Sequence, residues 1–334
     1  MKSNINDIPI VSVVMITYNH GNFLKDAING VLMQEVDFSI ELIIGDDCST
    51  DNAQNVVESF IGHKNYDWIK YTRHTTNLGM MPNFIWALNQ AEGEFIALCE
   101  GDDYWTDPLK LRKQYDFLAA SSNYDMVYTD IDFLYDSPEV HVPSVYKCGH
   151  ILNKNDYIAN VVSPTYFSAP TWFIRAGKLK NVVFLPNTTD GTYEILLYFL
   201  RNSKVAYIED STAVYRILRE SATRSKDINK VYLWWLGIFN IQKHHLKHHI
   251  KDDNIATIVY INQYTYILKN YAFALLDQEF IDEACAFFRK KNLWYLYEAM
   301  LSDYVYSQVK LGKLYRFLKL ITYITRLFPN IKRK

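Results

Sequence analysis

In the stretch FIALCEGDDYWTDP, residues Phe95 to Pro108, an apolar strand-like run leads straight into Glu100, Asp102 and Asp103. Carboxylates gathered at the mouth of an apolar strand repel one another and lose part of their hydration, and buried charge must be compensated. The plain alternative is a solvated acidic loop in which Asp107 caps the next helix. An apolar strand running directly into the acids argues against it. Two more polar loops follow apolar runs: TYN (Thr17 to Asn19) after IPIVSVVMI, and DDCS (Asp46 to Ser49) after IELIIG. By residue type alone, Asp46, Asp47 and Ser49 also suit the bracing of a turn.

The elements that must hold these loops alternate strand and helix as far as Phe133. Ile8–Ile16 is short, apolar and β-branched, like a strand buried on both faces. Phe23–Gln34 carries apolar residues at helical spacing. Ile40–Gly45 reads as a second strand, and the loop after it caps a helix starting near Asn52. Asp67–Thr72 reads as a third strand, Pro82 suits a first helical turn, and Glu94–Cys99 reads as a fourth strand. Asp107 and Pro108 then read as N-cap and first residue of a helix through Ala120, followed by a fifth strand at Asp125–Phe133. Repeated units of this kind predict a mostly parallel sheet flanked by helices, which binds ligands beyond the carboxyl ends of its strands. The three polar loops follow the first, second and fourth strands, so they face one crevice.

Pro138, Pro143, Pro164, Pro170 and Pro186 break the pattern further on. TWFIR and KVAYIED still read as strands, with GTYEILLYFLRN as a helix between them. Beyond about Ser225, Gly and Pro nearly vanish and long segments rich in Tyr, Leu and Trp predict helices, YAFALLDQEFIDEACAFFRK forming one hairpin. HHLKHH, His244 to His249, reads as a solvated helix face rather than a zinc site.

The 334 residues leave room for two domains, and 49% hydrophobic with 22% charged residues describes a folded globular chain. A net charge of −2 gives no pull toward nucleic acid, so no such partner is expected. Cys48, Cys99, Cys148 and Cys285 lie far apart without metal spacing and read as reduced thiols. Asp7 before the first apolar run and polar TYNHGN after it argue against an export signal, and no apolar stretch is long enough to span a bilayer. A cytoplasmic location is the expectation.

VSVVMITYNHGNFLKDAINGVLMQ, IIGDDCSTDNA, NLGMMPNF, GEFIALCEGDDYW and AVYRI, in this order over about residues 8–220, together resemble the GT-A fold glycosyltransferases of family 2. These are inverting enzymes that use nucleotide-activated sugars. The resemblance implies a Rossmann-like GT-A domain over about 1–222, with a nucleotide-binding half to about 105 and an acceptor half from 106 to 222. A helical accessory region, 223–334, lies outside the likeness. It further implies that Thr17, Tyr18 and Asn19 line the donor pocket, and that Asp47 accepts a hydrogen bond from a uracil-like imide. Asn77 and Gly79 would shape the sugar and diphosphate pocket, where Gly79 could equally be a turn glycine. EGDDYW matches the family's acidic metal motif. On that match Asp103 is the direct ligand of Mg²⁺ or Mn²⁺, Asp102 touches metal, ribose or sugar, and Glu100 supports them, since hard cations take oxygen ligands.

Two positions depart from the family pattern. The acid that serves as base normally stands where this chain has Thr192, leaving Asp190, or as second choice Glu194, for that role. Asp190 also reads as a plain helix N-cap. Many relatives carry a His two residues after the Arg of AVYRI. Leu218 stands there, so Arg216, Arg219 or Arg224 could meet phosphate, or Arg216 could be structural.

The last segment, from Lys310 to Lys334, has no acid and sets Leu314, Phe317, Leu318, Ile321, Ile324 and Phe328 on one helical face. That pattern suits an interfacial helix on anionic lipid, peripheral on the inner face of the membrane. It equally suits a docking helix on this protein or on a second copy, as in a homodimer. The expectation is thus a metal-dependent inverting glycosyltransferase. It would move sugar from a nucleotide sugar, UDP-sugars favoured, to a saccharide or lipid-linked saccharide in surface polysaccharide synthesis. The rival readings are a non-catalytic nucleotide-sugar-binding scaffold and a sugar nucleotidyltransferase.

Overall fold

The structure is a computed structural model that describes residues 9–136, 139–146, 149–164, 167–219, 221 and 224–310. The chain forms two compact units, Met1–Arg224 and Ser225–Lys334.

The first unit opens with β1 (Val11–Thr17), α1 (Leu24–Leu32), β2 (Ile40–Asp46), α2 (Ala53–Glu58), β3 (Ile69–Arg73), α3 (Met80–Asn89) and β4 (Phe95–Leu98). It continues through β5 (Tyr104–Trp105), α4 (Lys110–Ala120), β6 (Tyr124–Asp136), β7 (Glu139–Val142), α5 (Lys154–Val162), β8 (Phe173–Arg175), α6 (Ala176–Leu179), α7 (Gly191–Asn202) and β9 (Lys204–Ile217). The strands form one sheet in the order β3-β2-β1-β4-β8-β6-β9-β5, with β7 on β6. From β3 to β4 every pairing is parallel, as the alternating strand–helix pattern requires. Beyond β4 the sheet is mixed: β8 runs antiparallel to both β4 and β6, while β6 and β9 are parallel. The helix after Asp107 begins later than its sequence suggests. The Asp107 carboxylate takes the Leu109 N–H at 2.8 Å and the Lys113 ammonium at 2.7 Å, so residues 107–109 form a turn and α4 starts at Lys110.

β1 and β2 are buried along nearly their whole length, and α1 lays Leu24, Ala27, Ile28, Val31 and Leu32 onto the sheet. Trp105 ties the acidic stretch into this core. It is fully buried, its indole N–H donates to Pro170 O at 2.9 Å, and its backbone lies against Gly30. Burying such a ring contributes roughly 2–3 kcal/mol. The loop before it is therefore fixed at one end by packing.

The second unit is helical: α8 (Ile228–His245), a π turn (Leu246–Ile250), α9 (Asp253–Ile267), a second π turn (Leu268–Ala272), α10 (Phe273–Leu275), α11 (Gln278–Lys290) and α12 (Trp294–Lys310). Asp227, Asp252 and Asp277 cap α8, α9 and α11 by accepting backbone N–H groups. The expected hairpin over 271–290 turns at Leu276, which adopts φ 57°, and resumes at the Asp277 cap. In the core of this unit Phe239, Tyr264 and Phe280 meet edge to face, with centroids 5.2 and 5.5 Å apart. Among the described residues no helix is long and apolar enough to cross a membrane. Cys48, Cys99 and Cys285 are free thiols. Cys148 and the basic amphipathic segment beyond Lys310 lie outside the described residues.

Candidate active site

β1, β2 and β4 end side by side, with Thr17 paired to Asp46 and Val14 to Leu98, so the three polar loops leave one edge of the sheet. They interlock through the backbone. Asp47 N–H donates to Thr17 O at 2.9 Å, and Gly101 N–H donates to Ile16 O at 2.9 Å. Asn19 N–H donates to Ser49 Oγ at 2.9 Å, while Asn19 Oδ1 accepts from Thr50 N–H at 2.8 Å. Asn19 sits at φ 58°, a left-handed conformation that asparagine tolerates. Gly101 lets the acidic loop reach β1, since a Cβ there would stand 2.8 Å from Thr17 Oγ1. Tyr18, beside it, is exposed, and Thr17 Oγ1 is buried without a hydrogen-bond partner.

Asp47 joins two motifs that are distant in sequence. One carboxylate oxygen accepts Leu78 N–H at 2.6 Å and the other accepts Gly79 N–H at 2.9 Å. Asn77 Oδ1 shares the Gly79 N–H at 3.1 Å, and Gly79 takes φ 92°, which glycine adopts without strain. The loop bearing Asn77 and Gly79 is thereby clasped to the end of β2.

Glu100, Asp102 and Asp103 each present an oxygen within 4.8 Å of the others. Asp103 is fully buried; its Oδ1 accepts Arg216 N–H at 2.8 Å, and its Oδ2 has no hydrogen-bond partner. Burial, then the charge of Asp102 and then that of Asp190, pushes the Glu100 carboxyl up to about 8. Burial, with Asp102 and Glu100, also pushes Asp103 well above the usual carboxylate range, against the opposing pull of Arg216. Such a cluster holds protons near neutrality unless a cation replaces them. A buried, partnerless carboxylate oxygen in an all-oxygen donor set fits a hard divalent ion, held by Asp103 and Asp102 with Glu100 in support.

Arg216, which with Arg219 and Arg224 is open by sequence to phosphate and equally to a structural part, is engaged within the fold. Its guanidinium donates to Asp102 O at 2.8 Å and to Asp26 Oδ2 at 2.6 Å, between the rings of Tyr104 and Phe23 at 4.3 and 5.2 Å. With its backbone N–H on Asp103, it ties the acidic loop to α1. That geometry makes it a positioning residue for the acids.

The turn before α7 carries the second set of acids. Asp190 caps the helix, its Oδ1 accepting Tyr193 N–H at 3.0 Å and the Thr192 hydroxyl at 2.6 Å. Thr192, standing where an acid was expected, is thus a donor to Asp190. Burial raises the Asp190 carboxyl, opposed by those hydrogen bonds. Glu194 turns both oxygens to Leu185 N–H, at 3.0 and 3.3 Å, and burial pushes it up to about 7. It braces the incoming loop. Gly191 N–H donates to Met81 Sδ at 3.1 Å, setting this turn against the start of α3, while the charge of Asp190 reaches Glu100.

Three residues escaped the sequence reading. His20 Nδ1, buried without a hydrogen-bond partner, lies 3.9 Å from Asp102 Oδ1, and its place directly after TYN was a usable signal. The Tyr215 phenol, pushed up by burial and by the charges of Asp103, Glu100 and Asp102, was marked only by preceding Arg216. Asp26, on α1, carried no signal at all.

The model of Glycosyl transferase family 2 matches residues 12–140. An uncharacterized protein of Mycobacterium tuberculosis is 36% identical over 126 residues, which are 38% of this chain and only 36% of that one. The GalNAc(5)-diNAcBac-PP-undecaprenol beta-1,3-glucosyltransferase of Campylobacter jejuni is 28% identical over 72% of this chain and 76% of its own. Among solved structures, Staphylococcus aureus TarS 1-349 in complex with UDP-GlcNAc superimposes with a TM-score of 0.55 at 20% identity, covering 88% of this chain and 80% of that one. The mannosyltransferase PcManGT of Pyrobaculum calidifontis, in complex with GDP-Man and Mn2+, gives 0.50 at 14% identity, over 91% and 89%. These likenesses show the GT-A fold.

Proposed function

Because the chain belongs to glycosyl transferase family 2 through residues 12–140, we propose that it is a metal-dependent, inverting glycosyltransferase that draws on a nucleotide sugar. The observation that carries this is the acidic cluster, with the unpartnered buried oxygen of Asp103 at the carboxyl end of the parallel strands. TarS with UDP-GlcNAc and PcManGT with GDP-Man and Mn2+ support a nucleotide-sugar donor and a divalent ion for this fold.

On this reading Thr17, Tyr18 and Asn19 line the donor pocket. Asp47 offers the lone pairs left free by Leu78 and Gly79 to a base imide, since each carboxylate oxygen accepts more than one bond. UDP-sugars are the favoured donors. Asn77 and Gly79 shape the sugar and diphosphate end. A divalent cation on Asp103 and Asp102, when bound, stabilises charge on the departing nucleoside diphosphate. Asp190 takes the proton of the acceptor hydroxyl as its oxygen attacks the anomeric carbon. The carbon–oxygen bond to the diphosphate breaks with its electron pair, and attack from the opposite face inverts the configuration. The Thr192 hydroxyl keeps the Asp190 carboxylate turned to one orientation.

The Campylobacter relative acts on an undecaprenol-linked saccharide by name, which supports a saccharide or lipid-linked acceptor and a role in surface polysaccharide synthesis. The acid-free sequence from Lys310 to Lys334 supports peripheral attachment to an anionic membrane. Liposome co-sedimentation that is unchanged on deleting 310–334 would rule that attachment out. The catalytic reading is tested by offering UDP- and GDP-sugars with Mn2+ and saccharide acceptors, and by reading the product's anomeric configuration by NMR. An α-linked donor is expected to give a β-linked product; a product of retained configuration contradicts the mechanism.

A further inference from the structure

The loop after β1 sets a histidine beside the acidic cluster and fixes its backbone on both sides. Before it, Asn19 turns the chain at φ 58° and is tied to Ser49 and Thr50. After it, Gly21 N–H donates to Asp51 Oδ2 at 2.7 Å. His20 O itself accepts Phe23 and Leu24 N–H, both at 2.8 Å, where α1 begins. Gly101 leaves the ring room to lie against the acidic loop, since a Cβ there would stand 3.2 Å from His20 Nδ1. The side chain is partly exposed, yet Nδ1 is buried and has no hydrogen-bond partner. Folded proteins seldom leave a buried polar atom unpaired, because its lost hydration is not replaced. Among the described residues, His20 is the one basic side chain within ion-pair distance of the Asp102 carboxylate, with Nδ1 3.9 Å from Oδ1.

We propose that His20 is a positioning residue for the acidic cluster: its Nδ1–H donates to Asp102 and holds that carboxylate toward a divalent ion shared with Asp103. The role rests on the metal-dependent reading of the cluster. The two acids are supported unequally. Asp103 has its carboxylate held by Arg216 N–H at 2.8 Å, whereas for Asp102 the Arg216 guanidinium holds the backbone carbonyl, at 2.8 Å, and not the carboxylate. His20 supplies the missing donor. A separation of 3.9 Å is about 1 Å longer than a hydrogen bond, and contacts at such sites tighten when ligand binds. The partly exposed Asp102 side chain is free to turn by that amount. The Nδ1–H tautomer and the imidazolium both donate from this nitrogen, so the contact needs no particular charge on the ring. A carboxylate bound to metal keeps lone pairs for such a donor, and losing a partner of this kind typically weakens metal binding by about 10–100-fold.

The test is calorimetric titration of MnCl₂ into the full chain in excess UDP, comparing the wild type with His20→Ala, His20→Asn and His20→Gln, and with Asp103→Asn as control. His20→Ala should bind Mn²⁺ about 10–100-fold more weakly. The Asn amide stands close to the place of Nδ1 and should restore the affinity to within about threefold, whereas the longer Gln amide reaches the place of Nε2 and should not. Melting curves of the metal-free proteins verify that each variant is folded, and the contrast between Asn and Gln decides the matter if His20→Ala is not. Wild-type affinity in His20→Ala, or rescue by Gln in place of Asn, overturns the role of His20 while Asp103→Asn still marks the metal site. Mn²⁺ binding that is missing from the wild type, or that survives Asp103→Asn, contradicts the metal site itself and the role of His20 with it.

Discussion

The loop after β4 and the turn before α7 both gather acids, and they hold them in opposite ways. Around α7 the carboxylates are satisfied: Asp190 accepts a hydroxyl and a backbone N–H, and Glu194 spends both oxygens on Leu185 N–H. After β4 the arrangement is unfinished. Asp103 is fully buried, yet one of its oxygens has no partner, and two neighbouring acids face it. A satisfied acid caps a helix and can still take a proton. An unsatisfied cluster around a buried carboxylate raises its own proton affinity, which is the condition a hard cation would relieve. Burial alone does not separate the two sites; the hydrogen-bond inventory does.

The difference can be broken on the satisfied side first. Asp190→Asn keeps an acceptor for the helix cap but cannot take the acceptor's proton. The expected result is a fall of about 10²–10⁴ in kcat with donor affinity unchanged. Glu194→Gln, changing the brace only, should leave kcat within about tenfold, since a single net hydrogen bond is worth only about 1 kcal/mol. A steady-state comparison in which Glu194→Gln is the more damaging would exchange their roles.

On the unfinished side the expected effect is one of pH. Glu100 titrates near 8 in the folded protein, pushed there first by burial, against about 4.3 in an unfolded chain. Between those values the folded state holds more protons than the unfolded one. Stability of the metal-free protein should therefore fall as pH rises from about 4.5 through about 8. Glu100→Gln should flatten that fall and raise the metal-free melting temperature at pH 8, at about 2–4 °C per kcal/mol gained. A thermal-denaturation series with the same slope in both proteins would contradict the assignment.

The smallest effect is expected at the link between loop and helix. Arg216→Lys keeps a charge but loses the fork that spans Asp26 and Asp102 O. Metal should bind about tenfold more weakly, near 1.4 kcal/mol, with turnover restored at high Mn²⁺. Failure of metal to restore it would mean that Arg216 touches the donor directly.

How legible all this was depends on range. β1, β2 and β4 and the loops after them were readable because each of these strands is a mainly apolar run and each loop follows its own strand. GTYEILLYFLRN became α7 over the same residues, since its cap and periodicity are local. The antiparallel insertion of β8 between β4 and β6 was not readable, because three residues carry no record of which strand they will join. The same holds for Arg216 and Asp26, whose pairing spans 190 positions. Within the site, it was the resemblance to the family motifs that singled out Asp47, Asp102 and Asp103. That Thr192 would donate to Asp190, or that Asp47 would clasp the Leu78–Gly79 backbone, emerges only once the chain is folded. The π turn at Leu246–Ile250 was hidden for another reason: its residues are ordinary helix formers, and only the backbone bonding differs.

The most direct test is calorimetric titration of the wild type and Asp103→Asn with UDP-sugars, with and without Mn²⁺. The expected result is that Mn²⁺ strengthens donor binding in the wild type by about tenfold or more, ~1.4 kcal/mol, and has no effect in Asp103→Asn. An enhancement by Mn²⁺ that is equal in both proteins would contradict the assignment of the buried carboxylate to the ion.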